Sequence, residues 1–224
     1  RVGAGRVYVH MGTQKKINFA EWCRGLGAGQ SYVSDGYAHA LEFTVGGQAP
    51  GRDDVRLAKR GKVTVRAKVA FAPETPQTVA QGLQLPPAGL RKTGDTVNLH
   101  APRLRKFVKG GTRLVELVVN GQVVAKKTIP ADGNIHALKF EVAIARSSWV
   151  AIRHFPQLHT NPVNVLVADK PIRASRVSAL WCAESVKLLW QNRNRFIKKP
   201  EQPAAKAAYD RAQKTYERIA AESP

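Results

Sequence analysis

The sequence predicts a mainly β chain: an antiparallel β-sandwich, with a short α/β segment before it and two helices after it. Three observations predict this. Apolar residues alternate with polar ones through residues 63–71, 115–119 and 138–144. A period of two marks a strand with one buried and one wet face. Turn dipeptides, Asn120-Gly121 and Asp132-Gly133, punctuate these runs, as they do in all-β domains. Beyond residue 175 the apolar spacing becomes helical, with Pro200 and Pro203 as breaks,.

The elements follow in order. Arg6 to His10 reads as a short strand. Asn18 to Leu26 reads as a helix, with Asn18 as N-cap, Glu21 three residues on, and Gly25, Gly27 and Gly29 as stops,. Ser31 to Ser34 is extended, Asp35-Gly36 turns, and Ala40 to Val45 is a strand ended by Gly46-Gly47,. Strand, helix and strand in so few residues is an α/β signature, so residues 1–50 form one division.

Residues 51–174 form the second division. Val63, Val65, Ala67, Val69 and Phe71 face one way; Val115, Leu117 and Val119 lead into Asn120-Gly121 and then Gln122 to Ala125. Asn-Gly accepts positive φ at both turn positions, which makes this a two-residue hairpin. Leu138, Phe140, Val142 and Ile144 alternate again, and residues 149–155 and 163–167 add two strands. Short strands joined by turn residues argue for an immunoglobulin-like sandwich. Between Ala72 and Thr96, Pro and Gly recur without periodicity, the mark of a mobile or domain-covering loop. Residues 175–224 form the last division. Ser178 is the expected cap of a helix with the stripe Ala179, Cys182, Val186, Leu189 and Phe196. Pro203 suits the first turn of a second helix, whose stripe runs Ala205, Ala208, Tyr209, Ala212, Tyr216 and Ile219.

Lys and Arg outnumber Asp and Glu by 36 to 16, a formal charge of +20. Such a surface concentrates polyanions, so nucleic acid and acidic glycans become candidate partners. The basic residues are scattered in pairs, however, and the densest stretch is only Arg103, Arg105, Lys106 and Lys109. A solvated surface, or one facing an acidic partner domain, is favoured over a nucleic-acid site. No apolar stretch approaches the roughly 20 residues a bilayer requires, so no membrane partner is expected. Cys23 and Cys182 are too few for a disulfide framework or a four-cysteine zinc site; one long-range disulfide and two free thiols both stay open. Oligomeric state and compartment are not legible, with bacterial export one option for a soluble chain.

The residues that could carry chemistry are few. The six histidines form neither His-x-His nor His-Glu-x-x-His. His154 and His159 are the closest pair, and a metal there needs a third ligand from elsewhere. Asp35 and His39 share one turn, where a carboxylate could orient an imidazole; the simpler reading is an Asx-turn before Gly36. His159-Thr-Asn-Pro-Val163 is the most distinctive string. Asn161 precedes a proline that forces extended geometry, favouring a structural turn over a ligand-facing one. Gly25-Leu-Gly-Ala-Gly29 follows a helix instead of preceding one, so it is a helix stop and not a phosphate loop. Asp35, His39, His154, His159 and Asn161 are therefore the candidate ligand-facing residues, with no catalytic or metal-binding set.

Several strings carry a resemblance. Residues 21–26 (Glu-Trp-Cys-Arg-Gly-Leu), 29–36 (Gly-Gln-Ser-Tyr-Val-Ser-Asp-Gly) and 43–47 (Phe-Thr-Val-Gly-Gly) resemble the closing segment of the PHP (polymerase and histidinol phosphatase) superfamily, in its carbaryl-hydrolase-like (CehA/McbA-like) branch. Residues 147–153, 159–163, 171–175 and 179–182 resemble the C-terminal region of large bacterial proteins of that branch. The resemblance implies a metal-dependent hydrolase whose divalent ions (Zn, Mn or Fe) sit in a distorted barrel on His and Asp ligands upstream of residue 1. Residues 1–50 would end that barrel, and the rest would be an accessory sandwich partnered by the N-terminal catalytic domain of the same chain. No cofactor is then expected on this portion, which alone would be inactive. The rival reading is a standalone sandwich that binds acidic glycans or other polyanions; a third is a structural domain for oligomerisation.

Overall fold

The structure is a computed structural model, and it describes residues 5–13, 16–77 and 107–224. In chain order the strands are β1 (Arg6–Val9), β2 (Ser31–Ser34), β3 (Ala38–Val45), β4 (Val55–Leu57), β5 (Gly61–Phe71), β6 (Glu74–Pro76), β7 (Phe107–Lys109), β8 (Thr112–Val119), β9 (Gln122–Pro130), β10 (Ile135–Ile144), β11 (Ser148–His154), β12 (Leu158–Thr160) and β13 (Val163–Val167). The helices are α1 (Phe19–Gly27), α2 (Arg176–Arg193) and α3 (Gln202–Ala221).

The chain is an antiparallel β-sandwich with two C-terminal helices. Its contacts divide it into two units, Arg1–Asp169 and Lys170–Pro224. In the first unit β5 is the middle of a three-stranded sheet, antiparallel to β10 on one side and to β3 on the other. The larger sheet centres on β11, which pairs β8 on one edge and β12 and β13 on the other. From there it extends through β8 to β9 and through β12 to β2 and β1; β4 adds a parallel pairing with β13. Alternation does what the sequence promised. Val63, Val65, Ala67, Val69 and Phe71 of β5 join Val115, Leu117, Val150, Ile152 and Val165 of the larger sheet in one buried cluster. Burying a side chain of this size stabilises the fold by about 1.5–3 kcal/mol. Asn120 and Gly121 both take positive φ, 49° and 85°, as the hairpin between β8 and β9 requires.

The N-terminal segment carries strand, helix and strand, but β1 and β2 are antiparallel, with Tyr8 opposite Tyr32. α1 is an excursion within that pair: beyond Val9 and Ser31 the ladder continues from His10 N–H to Gln30 C=O, 2.8 Å. The Asn18 side chain caps α1 at Glu21 N–H. Gly25 is buried where a Cβ would lie 2.7 Å from Val9 Cγ1, so the absence of a side chain lets the helix lie on β1. β3 enters the smaller sheet with a bulge between Ala40 and Glu42, which leaves Leu41 as the extra residue,. The expectation for the Ala72–Thr96 loop falls mostly outside the described residues, as do Arg103, Arg105 and Lys106; its first residues, Glu74–Pro76, form β6.

In the second unit the cap of α2 is Ser175, whose side chain accepts from Ser178 N–H. The expected cap, Ser178, is itself in the first turn. Ser175 wins because its extended backbone (φ −157°, ψ 118°) puts the hydroxyl over that turn,. Pro203 lies in the first turn of α3 as expected. The helices meet through small residues, with Ala179, Ala183 and Ala220 buried, and Trp190 packs on Tyr209 at 5.4 Å. Leu189 and Phe196, expected in the stripe, are exposed. The packed face of α2 runs through Ala179 and Ala183, which turns Leu189 outward, and Phe196 lies in a 3-10 turn beyond the helix,.

Candidate functional site

A groove opens in the first unit where β1, β2 and the bulged part of β3 approach the loop after β3. It encloses about 530 Å³. Its aromatic wall comes from strand pairing. Tyr8 and Tyr32 are directly opposite, so their rings stack, 5.1 Å apart and 10° from parallel. His39 closes the cluster: its ring stands edge-on to Tyr8 at 4.9 Å, and its Nδ1 is 2.9 Å from Tyr32 Oη. Burial first, and the Tyr8 phenol second, push the Tyr32 hydroxyl up to about 12. Tyr32 is therefore a protonated phenol at neutral pH, and its hydroxyl shares one hydrogen bond with His39 Nδ1, whose direction is set by the imidazole tautomer,. Leu41, pushed out by the bulge, and Phe43 supply an apolar wall with Pro50.

Arg52 and Glu42 are the charged residues of the lining, and the Glu42 carboxylate is already paired with Lys68 Nζ at 2.8 Å. Arg52 lines this groove, a recess of about 380 Å³ beside α1 with His10 and Arg24, and a recess of about 450 Å³ with Asp53, Asp54 and Asn161. The loop that holds Arg52 is fixed by Gly51, at φ +69°, where a Cβ would fall 2.3 Å from Ala28 C=O and 2.6 Å from Gln30 N. The end of α1 and this loop are thus pressed backbone to backbone. An aromatic and apolar slot with a guanidinium at its side suits a flat ring that carries an anionic group.

The residues singled out from sequence separate into four places. Asp35 and His154 come together through Gln157: the Gln157 amide donates to Asp35 Oδ2 (3.0 Å), and its Oε1 is 3.2 Å from His154 Nε2. Asp35 Oδ1 also accepts from Tyr37 N–H, 2.8 Å, which is the Asx-turn. The other ring nitrogen of His154 meets Leu114 C=O at 2.9 Å. Both partners of the imidazole are oxygens, so a neutral ring, with one N–H, leaves one contact without its proton. Burial pushes His154 below its ordinary value, the hydrogen bonds to Leu114 and Gln157 oppose this, and nearby Arg113 adds to the lowering. His159 is elsewhere: it pairs with Arg153 across the sheet, and its Nδ1 donates to Thr160 C=O at 2.7 Å. Asn161 lines the 450 Å³ recess, but its amide is spent on Gly29 C=O and Ser31 Oγ, 2.9 and 3.0 Å. His39 belongs to the aromatic cluster and has no contact with Asp35.

Among the described residues no three His, Cys, Asp or Glu side chains gather as a metal site. These side chains do not fit a divalent ion,. Both thiols are free, and among the described residues no helix is long and apolar enough to cross a membrane. Tyr8, Tyr32, Arg52 and Gln157 carry no site signal in the sequence. The tyrosines read only as strand residues, and it is their cross-strand pairing that makes them a wall. No family model matches the chain, and no curated protein matches it in sequence.

Proposed function

We propose that the chain is a ligand-binding accessory portion of a PHP-type metal-dependent hydrolase, and that its groove holds the ring end of an anionic substrate. The observation that carries the binding role is the Tyr8–Tyr32 stack in a groove flanked by Arg52. The hydrolase context rests on the sequence resemblance alone. The chemistry would belong to the partner catalytic domain; this portion would orient the substrate and add affinity.

Phenyl phosphate is the direct probe, with benzyl alcohol as its uncharged counterpart, each titrated calorimetrically into the chain. Arg52→Gln should weaken phenyl phosphate about tenfold, as loss of one charge-assisted contact does, and leave benzyl alcohol unchanged. Tyr32→Ala should weaken both. Binding of neither probe would refute the groove reading. Coding sequence upstream of residue 1 without a His-x-His motif would remove the hydrolase context and leave the binding role standing. A second reading, binding of acidic glycans, is favoured by the +20 charge. It predicts retention on heparin that falls steeply with salt, and elution at low salt would count against it.

A further inference from the structure

β8 buries every second residue, and the first of that series is not apolar. Arg113 precedes Val115 and Leu117 on the core-facing side and is only 7% exposed. One end of its guanidinium is tied down. Nη1 donates to Thr112 C=O at 3.1 Å and, more weakly, to Gly110 C=O at 3.3 Å. Gly110 and Gly111, both at positive φ, turn the chain before β8 so that the Gly110 carbonyl faces back toward this side chain. Across the ladder Arg113 faces Ile129, itself buried.

Among the described residues the other side of the guanidinium has no partner: Nε and Nη2 are both buried and neither makes a hydrogen bond. These two nitrogens present parallel N–H groups on one edge, the fork that receives the two oxygens of a carboxylate. A guanidinium that is desolvated and oriented, with these two N–H groups unpaired, is costly unless an anion reaches them. Neither Asp35 nor any other described carboxylate makes an ion pair with it.

We propose that Arg113 is a carboxylate receptor: a small carboxylate enters at this end of the sandwich and is held side-on by Nε–H and Nη2–H. The site is distinct from the groove and does not depend on its role. Arg113 is preorganised because Nη1 is already engaged, so the ligand need not order the side chain. A carboxylate fits better than a halide, since a single-atom anion cannot meet both N–H groups along their axes.

The test is thermal unfolding in sodium formate or acetate against sodium chloride at equal ionic strength. The wild-type protein should gain several degrees in formate over chloride, about 5 °C at a hundredfold excess over Kd. Arg113→Met keeps the apolar stem and removes the charge. It should be at least as stable as wild type in chloride and indifferent to formate. Arg113→Lys keeps a charge without the fork and should also lose the formate response. A response to formate that survives in Arg113→Met overturns the proposal, as does a wild type that responds equally to formate and chloride. If neither variant folds, the Arg113 Nε–H resonance of the wild type decides. It should move downfield on titration with formate, and a resonance that stays in place refutes the site.

Discussion

Gly51 offers a measurement in which two costs can be separated. Gly47 and Gly51 both sit in the left-handed region, at φ +88° and +69°. An alanine at either carries the backbone penalty of that region, about 1–2 kcal/mol. At Gly47 nothing lies within 4 Å of the added Cβ, so Gly47→Ala should cost that amount and no more. At Gly51 the Cβ meets Ala28 C=O at 2.3 Å and Gln30 N at 2.6 Å, both backbone atoms that cannot swing aside. One of the two segments must move, which adds roughly 1–3 kcal/mol, the usual range for overpacking. Gly51→Ala should therefore cost about 2–5 kcal/mol. Urea unfolding of the two variants, with equal m values, gives the difference directly. The displaced loop carries Arg52, so phenyl phosphate affinity should fall in Gly51→Ala and hold in Gly47→Ala. Equal stability losses would refute the close packing of α1 on this loop.

Three further outcomes follow from the hydrogen bonds. Tyr32→Phe deletes the hydroxyl that is hydrogen-bonded to His39 Nδ1 and should cost about 1 kcal/mol, while removing from the ultraviolet pH titration the tyrosine that ionises near 12. Burial holds His154 below its ordinary 6.5, so the unfolded chain takes the proton first. Its contribution to stability is complete above about 6.5 and is lost as pH falls through the folded value, and His154→Gln should flatten that slope in urea titrations from pH 7.5 to 5. Asp35→Asn removes the carboxylate that holds the Gln157 amide and that favours the charged imidazole, so the His154 pKa should drop further,. An NMR titration in which it stays or rises would sink the link from Asp35 through Gln157 to His154.

Much of the sandwich was legible because its long strands obey a two-residue period, and β5 and β10 could be read residue by residue. The strands β4, β6, β7 and β12, three residues each, are too short to show a period. Their pairings are also remote in sequence: β4 finds β13 more than a hundred residues later. The site suffered from the same problem. Tyr8 and Tyr32 meet across an intervening helix, and Gln157 joins Asp35 to His154 only once β12 lies against β2. Arg113 was the missed signal that the sequence did contain. Extending the alternation of Val115 and Leu117 back by two positions places an arginine on the buried face.

The string His159-Thr-Asn-Pro-Val163 shows why a distinctive motif need not be a ligand site. β12 and β13 are two parts of one edge laid along β11, but the register slips by one residue between them: His159 faces Arg153, and Val163 faces Val150. Without a slip, Leu158 and Thr160 could not share the buried face with Val163 and Val165, because their positions differ in parity. Asn161-Pro162 supplies the extra residue, and Pro162 has no N–H to give the ladder. Ile152 would then lose its partner in the middle of the sheet. Thr160 replaces it: its Oγ1 accepts from Ile152 N–H at 3.1 Å and donates to Ile152 C=O at 3.3 Å. Asn161 holds the slip from the other side through Gly29 and Ser31, which also fixes the lip of the 450 Å³ recess. Thr160→Val keeps the shape and leaves both Ile152 groups unpaired in a buried place, which should cost about 2–4 kcal/mol. Thr160→Ser keeps the hydroxyl and loses one methyl, about 1 kcal/mol. Amide exchange at Ile152 should accelerate in the valine variant and hold in the serine one. If the two variants unfold at the same urea concentration, the hydroxyl is not what closes the gap.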